Sequence, residues 1–272
     1  MSSPVPEVVF KAPEVSNVRK LSERLKMIFA VDKYSSLRAR LLSIELLKLL
    51  KKRLTYKQLS ELTGLSPSIL CRYVKGFIVP MTSQSLLLMA SLLESIDVDR
   101  TIRNFINKEK SITIDLSRLF KDPDLSKLIS FILLGEFAGR KVNKILVGSS
   151  TVLPIAAYLA SEISSDVVMA KRRKYLGVSY YEEAIVRSAH DVEMIYVDRD
   201  LISKRDYVAI ITDLMITGRT MRALMNIVSK AKAELVNAIV IVAIGSDWRK
   251  RVTSQVKYLS YLDKLITGQP TP

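Results

Sequence analysis

Asp213 stands near the end of an apolar run and is followed, four residues on, by Thr217-Gly218-Arg219-Thr220, in the stretch AIITDLMITGRTMRAL. Two hydroxyls around a glycine, placed just before a helical pattern, suit a phosphate: amides at a helix N-terminus point at the anion, and glycine lets the backbone approach its oxygens. Thr217 and Thr220 add hydroxyl donors. Asp213 would repel a phosphate, so its task is different. A carboxylate there accepts hydrogen bonds from sugar hydroxyls or orients water on a divalent cation. The chemistry implied is the capture of a sugar phosphate.

Two upstream stretches extend the pattern. VGSSTVLPIAAYLASEI is an apolar run, then Gly148-Ser149-Ser150-Thr151, then a helical pattern opened by Pro154; VVMAKRRKYLGVS ends another apolar run in Lys171 and a cationic loop. Together these segments resemble the type I phosphoribosyltransferases over about residues 111–256. The resemblance implies that Asp213, Thr217, Gly218, Arg219 and Thr220 hold a ribose 5-phosphate, that Ser149, Ser150 and Thr151 form the pyrophosphate loop, and that Lys171 holds the basic strand end before a mobile hood loop. Tyr180, Tyr181, Glu182 and Glu183 fall in that loop. Three departures stand out: Thr212 replaces the first of the family's paired acids, the loop SSTVL has only Gly148 before it, and Ala170 sits where arginine is usual. Thr212 leaves one carboxylate missing, the loop lacks the glycine that lets backbone approach the ligand, and Ala170 removes a cation that would stabilise departing pyrophosphate; each loss costs rate more than binding. The expectation is a site that binds a phosphorylated sugar without catalytic residues, with no required cofactor, and with Mg2+ only as company to a phosphorylated ligand.

The elements that must position these residues alternate. Apolar runs at residues 144–147, 167–170, 194–197, 208–211 and 238–244 read as strands, and helical patterns at 125–137, 154–163 and 220–231 separate several of them, with a further strand at 111–116. This predicts a mostly parallel sheet flanked by helices. Trp248 and Asp247 follow the last strand, near a base site or in the core. His190 has no neighbour in sequence to make it a base and reads as a surface residue.

Before residue 110 every element reads as helix. Leu37, Leu41, Ile44, Leu47 and Leu50 recur at three- and four-residue steps. In LTYKQLSELTGLSPSILCRYVKG, Thr55 and Ser66 are helix caps, Gly64 suits a left-handed turn, and Pro67 opens the second helix. Leu59, Leu65, Leu70 and Tyr73 have the spacing of internal packing in a helix-turn-helix. Ser66, Ser68, Ile69, Cys71, Arg72 and Lys75 then face outward, short polar groups and cations suited to base edges and phosphates of double-stranded DNA. The expected organisation is an arm or short helix at 1–30, an all-α helix-turn-helix domain at 31–110, and an α/β phosphoribosyltransferase-like domain at 111–272.

Composition agrees with a polyanion binder. Net charge is +15; the first 110 residues carry 19 basic and 10 acidic side chains, the remaining 162 carry 23 and 17. The shorter part is the more basic. Cys71 alone excludes an internal disulfide, and Cys71 with the single His190 leaves no thiolate or imidazole metal cluster. The apolar runs are short and interrupted, and MSSPVPEVVFKAPE does not read as a signal peptide, so a cytoplasmic protein without a membrane segment is expected. In domain order the chain resembles archaeal orotate-phosphoribosyltransferase-like transcriptional regulators of the GfcR type. That resemblance implies a homodimer on DNA that senses phosphoribosyl pyrophosphate, a nucleotide or 2-keto-3-deoxy-6-phosphogluconate. An active nucleobase phosphoribosyltransferase is the alternative.

Overall fold

A computed structural model of the protein describes residues 7–109, 114–188, 190–252 and 256–263. The chain forms two compact units, one of Glu7–Thr101 with Lys127–Gly139, the other of Ile102–Ser126 with Arg140–Pro272. Among the described residues no helix is long and apolar enough to cross a membrane.

The first unit is helical. A two-residue strand β1 (Val9–Phe10) precedes α1 (Val15–Phe29), α2 (Lys33–Lys51), α3 (Tyr56–Thr63), α4 (Pro67–Val74) and α5 (Thr82–Glu94), and β2 (Ile96–Asp97) pairs back on β1. Residues 1–30, read from the sequence as an arm or short helix, thus contain the 15-residue α1. On α2, Leu47 and Leu50 are fully buried, but Leu37 and Leu41 are about half exposed; Ala39, Leu42 and Leu46 face the core instead. The helical period was legible, its phase at the N-terminal end was not.

Local chemistry explains α3 and α4. Thr55 and Gln58 form a reciprocal capping box, Gly64 takes φ 70° to stop α3, and Ser66 caps α4 ahead of Pro67. Leu59, Leu70 and Tyr73 are buried between the two helices and α5, and the Tyr73 hydroxyl donates to Gln84 at 2.9 Å.

After α6 (Val98–Glu109) and α7 (Pro123–Phe137), the second unit is built on a five-stranded sheet. Its strands are β3 (Lys144–Val147), β4 (Asp166–Met169), β7 (Tyr207–Met215), β8 (Glu234–Ile244) and β9 (Lys257–Leu262), in the order β4-β3-β7-β8-β9 and all parallel. The α/β reading with a parallel sheet is borne out. Ile145–Val147, Val208–Ile211 and Ala238–Ile244 are buried without interruption, as strands covered on both faces must be. Helix α8 (Leu153–Ile163) joins β3 to β4, and α9 (Arg219–Lys230) joins β7 to β8, burying Met221, Leu224, Ile227 and Val228.

Strands β5 (Tyr180–Ser188) and β6 (Asp191–Asp198) form a separate antiparallel hairpin. Residues 180–183, expected in a loop, are therefore strand. The expected strand at 111–116 lies partly outside the described residues; Leu116 is in a turn, its carbonyl accepting from the Leu119 amide at 3.0 Å.

Candidate functional site

The chain leaves β3 for β4 on one side of the sheet, while β7 pairs on the other side of β3. The order reverses at that point, and ligands in such sheets bind in the crevice beyond the carboxyl ends of the two strands. Gly148 and Ser149 follow β3, and Asp213 to Thr220 end β7 and open α9. Together they line a cleft of about 430 Å3.

Packing dictates the two glycines. A Cβ on Gly148 would lie 2.7 Å from both Leu224 Cδ1 and Thr212 Cγ2. Gly218 has φ 73°, and a Cβ there would meet Val252 Cγ2 at 2.9 Å and Trp248 Cβ at 3.1 Å. Trp248 is buried, its indole N–H donating to the Gly245 carbonyl at 2.8 Å; its placement is in the core beneath the loop.

Gly218 is the N-cap residue of α9, and no side chain caps the helix. Its first-turn amides, with the Thr217 and Thr220 hydroxyls beside them on the cleft wall, form an anion-binding end. Asp213 sits across from it: Oδ2 accepts from the Ser149 hydroxyl at 2.9 Å and Oδ1 from the Leu214 amide at 2.8 Å. Ser149 Oγ in turn accepts from the Thr151 amide at 3.2 Å, which sets the 3-10 turn Ser150–Val152. A carboxylate held at both oxygens offers its remaining lone pairs in a fixed direction.

The structure thus brings Ser149, Asp213, Thr217, Gly218, Arg219 and Thr220 to one cleft and places Ser150 and Thr151 in the turn behind it. Lys171 does not line it. Its backbone bridges Tyr196 in both directions, and its ammonium lies 4.9 Å from the Tyr175 ring centroid. Ala170 is buried.

Two further cations stand on the cleft wall, Arg172, within the basic run 171–174 that could meet phosphate, DNA or only water, and Arg187, which no sequence pattern singled out. Arg187 lies on β5, beyond the residues 180–183 expected in a loop. The hairpin that carries Arg187 is fastened to α9: Arg219 Nη1 donates to the Arg187 carbonyl at 2.7 Å, Asn226 Nδ2 to Glu183 at 3.2 Å, and Lys230 Nζ to the Glu182 carbonyl at 2.7 Å. Glu182 also accepts from Lys174, which holds its carboxyl below the usual range and raises the ammonium. His190 is exposed at the hairpin turn.

Among the described residues no group of three His, Cys, Asp or Glu side chains could hold a metal. Asp213 suits a divalent ion that a phosphorylated ligand brings with it, and not an ion bound by protein alone.

On the helical unit, Ser66, Ser68, Arg72 and Lys75 are exposed, and Ile69 and Cys71 are half-buried. Ser66 Oγ also caps α4, accepting from Ile69 N at 3.4 Å. Burial first and a hydrogen bond to Cys71 second raise the Tyr56 hydroxyl above its ordinary value.

An α/β domain with an uncapped helix end facing a carboxylate at the sheet's switch point is compatible with a phosphorylated small-molecule ligand. No family model matches this sequence. Xanthine phosphoribosyltransferase of Clostridium tetani is 31% identical over 144 residues, covering 48% of this chain and 75% of its own. Hypoxanthine/guanine phosphoribosyltransferase of Methanopyrus kandleri is 25% identical over 139 residues, 50% of this chain and 73% of its own. A solved adenine phosphoribosyltransferase from Rhodothermus marinus superposes with a TM-score of 0.49 at 23% identity, over 54% of this chain and 85% of its own. On the first of these relatives, the chain belongs to the phosphoribosyltransferase family.

The expectation of a non-catalytic homologue is overturned. The relatives that share this domain are named as phosphoribosyltransferases, which are enzymes. Beside buried Ala170, the guanidinium-bearing residues Arg172 and Arg187 belong to the cleft wall.

Proposed function

We propose that the protein is a nucleobase phosphoribosyltransferase that uses phosphoribosyl pyrophosphate, with a purine as the acceptor. The observation that carries this reading is the pairing of the uncapped α9 N-terminus with Asp213 and Ser149 across one cleft, in a chain 31% identical to a xanthine phosphoribosyltransferase. The 5-phosphate docks on the amides of Gly218 to Thr220 and the hydroxyls of Thr217 and Thr220. Asp213 accepts from the ribose hydroxyls, and Ser149, which shares its proton with Asp213, faces the pyrophosphate. A ring nitrogen of the base attacks C1 of the ribose as the C1–O bond breaks. Pyrophosphate leaves and the nitrogen loses its proton. Mg2+ carried by the pyrophosphate offsets the charge that develops on it, near Asp213.

The test is turnover. The purified protein with Mg2+ and phosphoribosyl pyrophosphate is given xanthine, hypoxanthine, guanine, adenine or orotate, and nucleoside monophosphate and pyrophosphate are measured. Equal yields of both from one purine are expected. Absence of product from every base sinks the reading.

A second reading concerns the helical unit, and the capped α3–α4 pair supports it. Helix α4 presents Ser66, Ser68, Arg72 and Lys75 outward on a framework fixed by Leu59, Leu70 and Tyr73. This unit binds double-stranded DNA with α4 in the major groove, two copies of the chain reading a two-fold site. Retardation of genomic fragments by the full chain, lost on Arg72→Ala, tests it; no sequence-selective retention at physiological salt sinks it.

A further inference from the structure

Two guanidiniums of the cleft converge on one carboxylate. Arg172 Nε lies 2.8 Å from Glu193 Oε1, and Arg187 Nη2 lies 2.5 Å from Glu193 Oε2. Both guanidiniums belong to the cleft wall that also holds Ser149 and the Thr217–Thr220 loop. Arg187 is the extra residue in the β5–β6 ladder: the register slips between Val186, opposite Val192, and Ser188, opposite Asp191. Bulges of this kind re-aim a side chain. Here Arg187 contacts Glu193 beside the break in register, and its carbonyl accepts from Arg219, which stands at the start of α9.

Resting on the transferase reading, we propose that Arg172 and Arg187 are the pyrophosphate-binding cations of this protein and that Glu193 is the exchange partner the pyrophosphate displaces. Two guanidiniums with parallel donors match the oxygens of a diphosphate, and charge-assisted bonds to phosphate are about twice as strong as neutral ones. Their present partner is easily exchanged. The side chains of Arg172, Arg187 and Glu193 keep 40%, 50% and 28% of their exposure, and ion pairs so open to water contribute little. Glu193 therefore holds the two cations at the cleft mouth, apart from each other's repulsion, until a more highly charged anion takes them over. Arg219, bonded to the Arg187 carbonyl, couples this handover to the phosphate end of the cleft: the residue that begins α9 also fastens the bulge. The arrangement supplies positive charge where Ala170 has none, from two residues further along and from β5.

The experiment is calorimetric titration of the full chain with inorganic pyrophosphate plus Mg2+ and, separately, with ribose 5-phosphate, for the wild type, Arg172→Ala, Arg187→Ala and Glu193→Gln. Each arginine variant is expected to weaken pyrophosphate binding about tenfold, the equivalent of one charge-assisted bond, while ribose 5-phosphate stays within about twofold. Glu193→Gln removes the competing charge and is expected to tighten pyrophosphate severalfold, a gain that loss of structure does not produce. The proposal is overturned if the wild type does not take up pyrophosphate, if the arginine variants bind it as the wild type does, if both ligands weaken in parallel, or if Glu193→Gln weakens it. Transferase turnover without these effects removes this proposal alone; these effects without nucleotide formation remove the transferase reading alone.

Discussion

Replacing Gly218 with alanine separates a glycine required by its surroundings from one required only by its backbone angle. At Gly218 both apply. Alanine at φ 73° costs about 1–2 kcal/mol because its Cβ crowds the following carbonyl. The new methyl also meets Val252 Cγ2 at 2.9 Å and the Trp248 Cβ and Cα at 3.1 and 3.2 Å. Two of those three atoms belong to a residue whose indole is anchored to the Gly245 carbonyl and whose own carbonyl accepts from the Val252 amide at 3.0 Å. The wall cannot retreat without breaking those bonds, so overpacking adds about 1–3 kcal/mol. The total for Gly218→Ala is about 2–5 kcal/mol.

Gly64 supplies the control. Its φ is 70°, but nothing lies within 4 Å of the Cβ position, so Gly64→Ala pays only the backbone cost of about 1–2 kcal/mol. The protein has one tryptophan, and it is Trp248. Urea unfolding followed by its fluorescence reports on the unit that holds the cleft, while far-ultraviolet circular dichroism adds the helical unit, which avoids treating the two units as one transition. Gly218→Ala is expected to move the fluorescence midpoint markedly and Gly64→Ala to leave it in place. If Gly218→Ala destabilises no more than Gly64→Ala does in its own unit, the close approach of the phosphate loop to Trp248 is refuted. The support of the anion site by that residue falls with it.

Other substitutions address chemistry and charge. Asp213→Asn preserves shape but removes the negative charge facing the ribose, and is expected to lower kcat/KM about 100-fold with the fluorescence midpoint little changed; activity within threefold of wild type removes Asp213 from the reaction. On α4, Arg72→Ala and Lys75→Ala are each expected to weaken DNA binding and to reduce the slope of log affinity against log salt by about 1, measured by anisotropy from low to physiological salt. An unchanged slope places both cations off the phosphates. For Asp206, burial pushes the carboxyl up, but the Ser203 amide, the Asn143 side chain and the Ser203 hydroxyl outweigh it and hold the group below its ordinary value. A depressed folded-state value stabilises above the unfolded one, about 3.9, and the contribution disappears as pH falls through the folded value. Asp206→Asn is therefore expected to flatten the acid limb of the stability profile below about pH 4, and an acid limb as steep as the wild type's contradicts the reasoning.

What could be read in advance depended on whether a residue's partners lie nearby in the chain. Strands β3, β7 and β8 are buried on both faces, so their sequences are continuous apolar runs, and the loops after β3 and β7 carry Ser149, Asp213 and the Thr217–Thr220 turn at short, regular offsets. The caps at Thr55 and Ser66 act within three residues of themselves. Strand β9 at the sheet edge mixes Lys257 and Ser260 with tyrosines and has no such run. Residues 194–197 of β6 read as a strand, but β5 alternates charged and apolar residues, and its polar side chains look like a solvated loop until α9 is placed against it. Glu193 meets Arg172 across 21 residues and a strand reversal, and it meets Arg187 across the hairpin beside a break in its register. No local pattern encodes such a contact. The reading about catalysis has the same limit: Thr212, the SSTVL loop and Ala170 are each weighed at their own positions, whereas the charge of a cleft is a sum over every element that ends at it.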